Sequence, residues 1–283
     1  MTQEKMTVLC VGATGSVGRH FVEEALRRGH AVRALVRDRA KAADLPEQAE
    51  IVVGELTQPD TLAQAIAGVD AIVFTHGSNG DKAKMQAIDY GGVRNVLFAL
   101  GGRKVRIALM TAIGVTDRAG SYNRSTEAHD WKRRSERLVR ASGNTYTIVR
   151  PGWFDYNDAD QHRIVMLQGD TRHAGTPADG VIARRQIAEV LVASLTLEEA
   201  CNKTFELVAE VGPEPEDLAP LFAAVTVDDT SAPDGVGDAN NMRLDQEPAQ
   251  VLADMQDIRP SGGASAGERH EPYQRSTFRG EKR

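Results

Sequence analysis

The chain has 283 residues, of which 41% are hydrophobic and 26% charged, and this predicts one core of about 200 residues with an extension. Its two cysteines, Cys10 and Cys201, are expected to be packing residues, because two thiols argue against a disulfide framework or a thiolate zinc site. The net charge of −6 comes from the C-terminal part: residues 210–257 hold twelve Asp and Glu and one arginine, and the body lacks the basic stripe of a nucleic-acid-binding protein.

Targeting signals are not evident in the chain. No stretch approaches the roughly 18 consecutive apolar residues of a membrane span. The N-terminal segment MTQEKMTVLC lacks the basic and then apolar order of a signal peptide. We therefore expect a cytoplasmic protein that takes a small-molecule substrate and binds neither a membrane nor nucleic acid.

Apolar runs rich in β-branched residues alternate with helical patterns along the first 209 residues. The predicted strands are residues 7–13, 30–37, 49–56, 70–76, 105–112 and 146–152. The predicted helices are residues 16–29, 61–68, 82–100 and 126–142, and glycines stop them at Gly29, Gly68, Gly101 and Gly143. A last unit, 183–208, predicts helix, turn and strand. This order is typical of an α/β fold with a Rossmann-type, doubly wound parallel sheet.

The pattern changes near residue 210. Residues 210–283 form an acidic extension rich in Pro and Gly, which we expect to be partly irregular. Two apolar patches, 218–225 and 248–255, predict short helices that dock on the body. Residues 260–283 have little to bury and predict an extended arm. Such an arm favours a homodimer in which it wraps a neighbouring subunit, and a monomer is the alternative.

The segment VGATGSVGRH carries the strongest motif. Gly12, Gly15 and Gly18 follow the first strand directly and open a helix. At this spacing Gly12 allows a tight turn, Gly15 a close approach of a pyrophosphate, and Gly18 the packing of helix on strand. Amides at the helix N-terminus would come from Thr14, Ser16 and Val17. The motif predicts a dinucleotide site, and a turn without ligand is the alternative.

The second strand ends in Arg37, where an NAD-specific site normally has a carboxylate. A guanidinium suits a 2′-phosphate, so NADP is favoured over NAD. Arg19 and Arg39 are placed to assist. The adjacent Asp38 argues in the other direction, and a solvated Arg37 is the alternative.

Ligands of such sheets lie outside the carboxyl ends of the strands, which points to two further groups of cofactor-binding residues. Glu55 and Leu56, ending the third strand, are expected to flank the adenine. Residues at the end of the fourth strand are expected beside the adenosine ribose or pyrophosphate; they are Thr75, His76 and Gly77. An ordinary loop histidine is an equal alternative for His76.

The segments GATGSVG, VRALVRD, LMTAIGV and WKRRSERLVRASGNTYTIVRPGWF together resemble atypical short-chain dehydrogenases/reductases, in particular the NmrA-like NAD(P)-binding branch. The resemblance covers about residues 6–209. It implies that residues 1–209 form an NAD(P)-binding Rossmann domain, with the nicotinamide near the ends of the fourth to sixth strands. It also implies a small substrate lobe formed by the C-terminal third.

Catalytic members of that family have a Ser or Thr after the fifth strand and a Tyr-x-x-x-Lys pair on the next helix. Thr111 and Lys132 match two of these positions, but the tyrosine position is Ala128, which cannot transfer a proton. The resemblance implies that Lys132 binds the nicotinamide ribose and that Thr111 polarises a substrate oxygen. His129 is the nearest replacement proton donor, with a surface histidine as the alternative.

Aromatic residues are the candidates for the substrate pocket. Trp153 and Phe154 follow the sixth strand, with Tyr156 beside them, and Tyr122 lies in the loop before the Lys132 helix. The alternative is that they cover the sheet end. Arg184 and Arg185 either frame the substrate lobe or pair with acidic neighbours. No metal site is expected, because the seven histidines are scattered without ligand spacing.

These features predict an NADP(H)-dependent oxidoreductase that acts on a small organic carbonyl, alkene or quinone. The missing tyrosine and the acidic tail suggest an alternative, a non-catalytic regulatory protein that senses NADP(H). Dehydratase or epimerase chemistry with a retained cofactor is a third possibility, which no particular residue favours.

Overall fold

A computed structural model describes residues 5–259. The predicted arm, residues 260–283, lies outside the described residues, as do residues 1–4. Within residues 5–259, no helix combines the length and apolar character that crossing a membrane requires.

One mixed sheet forms the centre of the molecule, in the order β3-β2-β1-β4-β5-β6-β10-β9-β7, with β8 also pairing with β10. The first seven strands in this order are parallel, β8 and β9 run antiparallel to β10, and β7 runs parallel to β9. The strands are β1 (Thr7–Val11), β2 (Ala31–Val36), β3 (Glu50–Val53), β4 (Ala71–Phe74), β5 (Arg106–Met110), β6 (Thr145–Pro151), β7 (Trp153–Phe154), β8 (Arg163–Leu167), β9 (Val181–Ile182) and β10 (Lys203–Glu210).

Helices cover both faces of the sheet. They are α1 (Ser16–Arg27), α2 (Ala63–Ile66), α3 (Lys82–Lys84), α4 (Gly91–Ala99), α5 (Ser121–Thr126), α6 (Ala128–Ala141), α7 (Arg184–Ser194), α8 (Ala219–Ala224) and α9 (Ala249–Ile258). Short 3₁₀ turns span Arg39–Ala42, Pro59–Thr61, Pro177–Asp179, Glu198–Ala200 and Leu244–Gln246, and a π turn spans Met85–Tyr90. Apolar residues of α1 and α7 pack on one face, and those of α2, α4, α6 and α9 on the other.

Strand β1 illustrates why the sheet needs both layers. Val8 and Cys10 point into one core and Leu9 and Val11 into the other, so the strand is apolar throughout. Cys10 is a packing residue, as predicted, and burial raises the pKa of its thiol to about 12. The doubly wound Rossmann-type sheet is therefore confirmed.

The predicted elements agree with the structure in order and type. All four predicted stop glycines have a positive φ, from +58° at Gly101 to +87° at Gly29. The predicted helix over 82–100 is confirmed as one unbroken helical stretch, within which the π turn joins α3 to α4. Between β6 and β10 the chain adds β7, β8 and β9 to the sheet edge, and the small substrate lobe implied by the resemblance stays a prediction.

The acidic extension packs against its own chain. We call residues 226–258 the C-terminal strap; its helix α9 contacts α4 and α6. Five carboxylates of the strap pair with arginines of the body. The pairs are Asp228 with Arg140, Asp234 with Arg137, Asp238 with Arg150, Asp254 with Arg94, and Glu247 with Arg133, Arg134 and Arg137.

Glu247 pairs with three arginines, more than any other of these five carboxylates. Its Oε1 accepts hydrogen bonds from Arg133 and Arg137, each at 2.6 Å, and its Oε2 accepts one from Arg134 at 2.7 Å. Burial alone would raise the pKa of Glu247, but the guanidinium groups of Arg133 and Arg134 hold it below its usual range. The strap thereby neutralises a helix that would otherwise bury uncompensated charge.

We expect Glu247→Gln to destabilise the protein by about 3–5 kcal/mol, because it leaves buried arginines without their carboxylate. Since the folded pKa of Glu247 is depressed, its contribution is present above the unfolded pKa of about 4.3 and is lost as the pH falls through the folded pKa. Urea unfolding measured across the acid range should therefore show a flatter acid limb in the variant.

Asp245→Asn is the control for this variant, because its partner Arg243 and its own carboxylate are both exposed. It should change the free energy of unfolding by less than about 0.5 kcal/mol. Equal effects of the two substitutions would contradict the assignment of the strap contacts as a stabilising buried network.

Candidate functional site

The glycine turn lies where the strand order reverses, between β1 and β4. Gly12 has a φ of +97°, and a Cβ there would lie 2.6 Å from the backbone nitrogen of His76. A Cβ on Gly18 would overlap the carbonyl oxygen of Gly12. Gly12 and Gly18 are therefore glycines for reasons internal to the fold, namely the turn and the close packing of α1.

Gly15 differs from the other two. Its φ of −74° is open to any residue, and a Cβ there would meet only the Gly12 oxygen, at 3.1 Å. Helix α1 begins next to it without a side-chain cap and without an acidic residue in its first turn. First-turn amides have no helical partner, so an uncapped end with an open approach fits an anionic pyrophosphate. Thr14, Ser16 and Val17 lie at this end, as the sequence predicted.

Arg37 is exposed at the end of β2, and its side chain has no hydrogen bond to any residue in the range 5–259. The neighbouring Asp38 carboxylate accepts a hydrogen bond from the Ala40 amide at 2.9 Å and so caps its own turn. Arg39 donates to the carbonyl of Ile51, and Arg19 donates to Asp44. Of the three arginines considered for a 2′-phosphate, Arg37 is the one not already paired within the described chain.

The remaining residues predicted to bind the adenosine part of the cofactor contact different parts of the chain. Glu55 accepts a hydrogen bond from the amide of Thr57, and Leu56 packs beside Gly92. The hydroxyl of Thr75 is buried and donates to the carbonyl of Val11. Glu55 thus contacts its own turn, whereas Thr75 and Leu56 contact the neighbouring β1 and α4.

The ring of His76 turns away from the glycine turn. Its Nε2 lies 3.0 Å from the carbonyl of Ile88, and burial lowers its pKa to about 4. The ring is thus neutral at physiological pH. Its backbone borders Gly12, and its role beside the adenosine ribose or pyrophosphate stays a prediction.

Gly77 lies beside Lys132, the predicted catalytic lysine. It is exposed, and a Cβ there would lie 3.6 Å from both Lys132 Nζ and Asp89 Oδ1. Lys132 donates to that oxygen at 2.6 Å, while the other carboxylate oxygen of Asp89 accepts hydrogen bonds from the amide and hydroxyl of Ser78. Asp89 belongs to the π turn, a feature frequent at functional sites.

The segment that follows β5, residues 111–116, borders the other side of the site. The Thr111 hydroxyl donates to Glu136 Oε1 at 2.7 Å, so its proton is not available to polarise a substrate oxygen in this arrangement. The amides of Gly114 and Thr116 donate to the two oxygens of Asp170, at 2.6 and 2.7 Å. Thr111 is thus fixed to the buried Glu136, and its expected role at a substrate oxygen stays a prediction.

His129 and His173 approach this segment from opposite parts of the chain. A Cβ on Gly114 would lie 4.0 Å from a ring carbon of each histidine. The His129 ring packs edge-on against the exposed Tyr122, with ring centroids 5.4 Å apart. Burial lowers the pKa of His129, so it is not the freely solvated surface histidine of the alternative.

Glu136 and Arg150 form a buried ion pair next to Thr111. Both Arg150 Nε and Nη2 donate to Glu136, at 3.0 and 2.7 Å. Burial alone would raise the pKa of Glu136, but the guanidinium groups of Arg150 and Arg140 lower it to about 2. Glu136 is therefore a fixed anion and an acceptor for Thr111.

The predicted pocket aromatics fall into separate groups. Trp153 packs edge-on against Tyr156, and Phe154 lies under the guanidinium of Arg184. Tyr122 instead contacts His129. Both Arg184 and Arg185 pair with acidic neighbours, which was the alternative considered for them.

Three site residues were missed by the sequence reasoning: Asp89, Asp170 and His173. Asp89 was hidden because the π turn changes which residues of 82–100 share a face. Asp170 and His173 lie after β8 in a segment with no periodic pattern, so their approach to residues 111–116 had no local signal. Within residues 5–259 there is no cluster of three or more residues suited to hold a metal ion.

Comparison with known proteins now identifies the family. Residues 12–198 match the NAD(P)H-binding family model, which covers more than half of the chain. The chain belongs to this NAD(P)H-binding family. The resemblance drawn from the sequence motifs is thereby confirmed, and the protein is a member of an NAD(P)H-binding oxidoreductase family with a Rossmann-type fold.

Individual relatives are more distant. The photosystem II assembly factor Ycf39 of Cyanophora paradoxa is 31% identical over 207 residues, which are 72% of this chain and 63% of that protein, so the match spans less than two thirds of its length. Sanguinarine reductase of Eschscholzia californica is 28% identical over 80% of this chain and 98% of the reductase. A solved Bacillus halodurans protein, provisionally assigned as an NAD-dependent epimerase/dehydratase, has a TM-score of 0.65 and 26% identity, covering 78% of this chain and 100% of that one.

The open approach at Gly15 can be tested by Gly15→Ala. We expect the affinity for NADPH, measured by calorimetry, to fall by at least about tenfold, because a methyl group occupies the approach to the first-turn amides. The melting temperature should not change, since the φ of Gly15 suits alanine.

Gly91→Ala is a closely matched control. Its φ is −61°, and its added Cβ would meet one backbone oxygen, that of Gln86, at 3.3 Å. This variant should keep its NADPH affinity. If Gly15→Ala also keeps it, the cofactor does not approach the chain at the glycine turn.

Proposed function

We propose that the protein is an NADP(H)-dependent reductase of a small organic substrate, with His129 as the proton donor and Lys132 as the residue that holds the nicotinamide ribose. One observation carries the proposal: Lys132 borders Gly77 after β4 while His129 borders Gly114 after β5. The segments after two neighbouring strands thus border a cation for the cofactor and an acid for the substrate, both at the carboxyl end of the sheet.

When bound, NADPH supplies a hydride to the substrate carbon. For a carbonyl substrate, the oxygen then needs a proton, which the protonated imidazole of His129 provides. The imidazole regains its proton from water. Because Ala128 stands at the usual tyrosine position, this assignment supplies the acid that the family pattern lacks.

Lys132 is held for its role by Asp89. The 2.6 Å ion pair has one well-buried partner, and Ser78 restrains the other oxygen of that carboxylate. A lysine fixed in this way keeps its ammonium group next to Gly77. This supports a role in orienting the cofactor, with no proton transfer assigned to Lys132.

The preference for NADP rests on Arg37. Its exposed and unpaired guanidinium, within the described chain, suits the 2′-phosphate, while the capping contact of Asp38 turns the nearest carboxylate to its own loop. The substrate we propose is a planar carbonyl or quinone compound, since Tyr122 presents an aromatic ring next to His129. The name of the relative sanguinarine reductase is consistent with a reductase.

The alternative is a non-catalytic protein that senses NADP(H). Ala128 favours it, as does the name of the assembly factor Ycf39. One argument for it is weakened, because the described carboxylates of the acidic strap pair with the chain's own arginines. The homodimer was expected from residues 260–283, which lie outside the described residues, so it stays a prediction and is not part of the proposal.

The cofactor preference is tested by Arg37→Ala. The affinity for NADPH should fall by at least about tenfold and that for NADH should not change, because only NADPH carries the phosphate. Arg103→Ala makes the same change in net charge at the opposite end of the sheet, where Arg103 donates to the carbonyl of Ile66. An equal loss for both cofactors would contradict the assignment.

The proton donor is tested by His129→Gln. We expect kcat for NADPH-dependent reduction of menadione or a nitrobenzaldehyde to fall by about 100-fold or more, with the NADPH affinity unchanged. His162→Gln, which alters a histidine in the exposed turn near Ala159, should keep full activity. Full turnover in the His129 variant would exclude it as the donor.

The pH dependence gives a second measurement. Since burial depresses the pKa of His129, the acid form that donates the proton is lost at a lower pH than for a free histidine. The reduction rate should therefore be highest at acidic pH and decline as the pH rises through this lowered pKa. NADPH binding without turnover at any pH would favour the sensing protein.

A further inference from the structure

Arg150 uses all five of its N–H groups on three carboxylates. Two donate to Glu136 on α6, one donates to Glu206 on β10 at 3.3 Å, and two donate to Asp238 of the C-terminal strap at 2.8 and 2.7 Å. The guanidinium and all three carboxylates are almost completely buried. A saturated fork of this kind has one geometry, because moving one partner unbalances the others.

The first branch from Arg150 leads to the start of the segment after β5. Arg150 holds both oxygens of Glu136, and Glu136 Oε1 accepts the hydroxyl proton of Thr111 at 2.7 Å. The position of Thr111 therefore depends on where Arg150 places this carboxylate.

The second branch leads to the far end of the same segment. Arg150 contacts Oε1 of Glu206, whose Oε2 accepts a hydrogen bond from the Asp170 amide at 3.2 Å. Asp170 in turn accepts the amides of Gly114 and Thr116. The strap also approaches this branch closely, since the carbonyl of Gly237 lies 3.2 Å from where a Cβ on Gly169 would be.

We propose that the C-terminal strap is a functional part of the substrate side of the site, and that Asp238 is a positioning residue that acts through Arg150 to hold both ends of residues 111–116. The inference rests on the proposed function in one respect, that this segment borders the substrate. It adds that Asp238, which lies far along the chain from the glycine motif, completes the site.

The strap contains a comparison pair for Asp238. Asp234 also makes a two-oxygen contact with a buried arginine, Arg137, at 2.6 and 2.7 Å. The other partners of Arg137 are Glu247 and the carbonyl of Met242, which belong to the strap itself. We therefore expect the loss of Asp234 to weaken the attachment of the strap and to leave the position of residues 111–116 unchanged.

The experiment compares Asp238→Asn with Asp234→Asn in the full-length protein. Amide hydrogen exchange is followed by NMR at Gly114, Thr116 and Asp170, together with the melting temperature, the NADPH affinity, and kcat and KM for menadione. Both variants should melt at a lower temperature. Only Asp238→Asn should increase exchange at the three amides, by about tenfold or more, and lower kcat by about tenfold with the NADPH affinity unchanged.

Hydrogen exchange keeps this test separate from that of the proposed function, because it needs no substrate. If the wild-type protein turns over nothing, the exchange comparison still decides the role of Asp238. If Asp238→Asn does not fold, Asp238→Glu and Asp234→Glu, which keep the charge and change the reach, provide the same comparison. Equal exchange at the three amides in the paired variants would overturn the proposal, and so would no change in either.

Discussion

The buried fork of Arg150 is the interaction on which residues 111–116, the proposed substrate side of the site, depend. A guanidinium without partners in a dry interior is strongly unfavourable, so the fold has to bring carboxylates to it. It does so from a helix, a strand and the C-terminal strap. Once these are in place, Thr111 and the amides after it have defined partners, and the histidines on either side of Gly114 face a segment with little freedom to move.

The same requirement explains helix α6. Its sequence, AHDWKRRSERLVRA, is typical of a solvent-exposed charged helix, yet Arg133, Glu136 and Arg137 are fully buried. The strap makes this burial possible by returning carboxylates over the outer face. Five of the twelve carboxylates in residues 210–257 are thus counter-charges for arginines of α4, α6 and β6. That is a different use from a tail that recruits a partner.

The half of the site around the glycine turn depends on fewer and more local interactions. Gly12 and Gly18 are required by the packing of the turn, and Gly15 leaves an approach to a helix end that has no cap of its own. Every element of this half lies within a short stretch of chain, so spacing alone predicted it. The order of strands and helices was equally predictable, because alternating apolar runs and stop glycines are local signals. Asp89 escaped prediction because a π turn shifts the face on which it lies, and Asp170 because its segment has no pattern at all.

The sequence by itself determined the Rossmann-type fold, the glycine turn, the exposed Arg37 at the end of β2 and the absence of a tyrosine at position 128. These depend on neighbours within a few residues, where periodicity and spacing carry the information. Only the tertiary structure decided that Thr111 donates a hydrogen bond to Glu136, that the buried His76 ring contacts the carbonyl of Ile88, and that the acidic extension covers α6. Those outcomes depend on pairs such as Glu247 and Arg133, 114 residues apart, whose meeting is set by packing and by the need to neutralise buried charge.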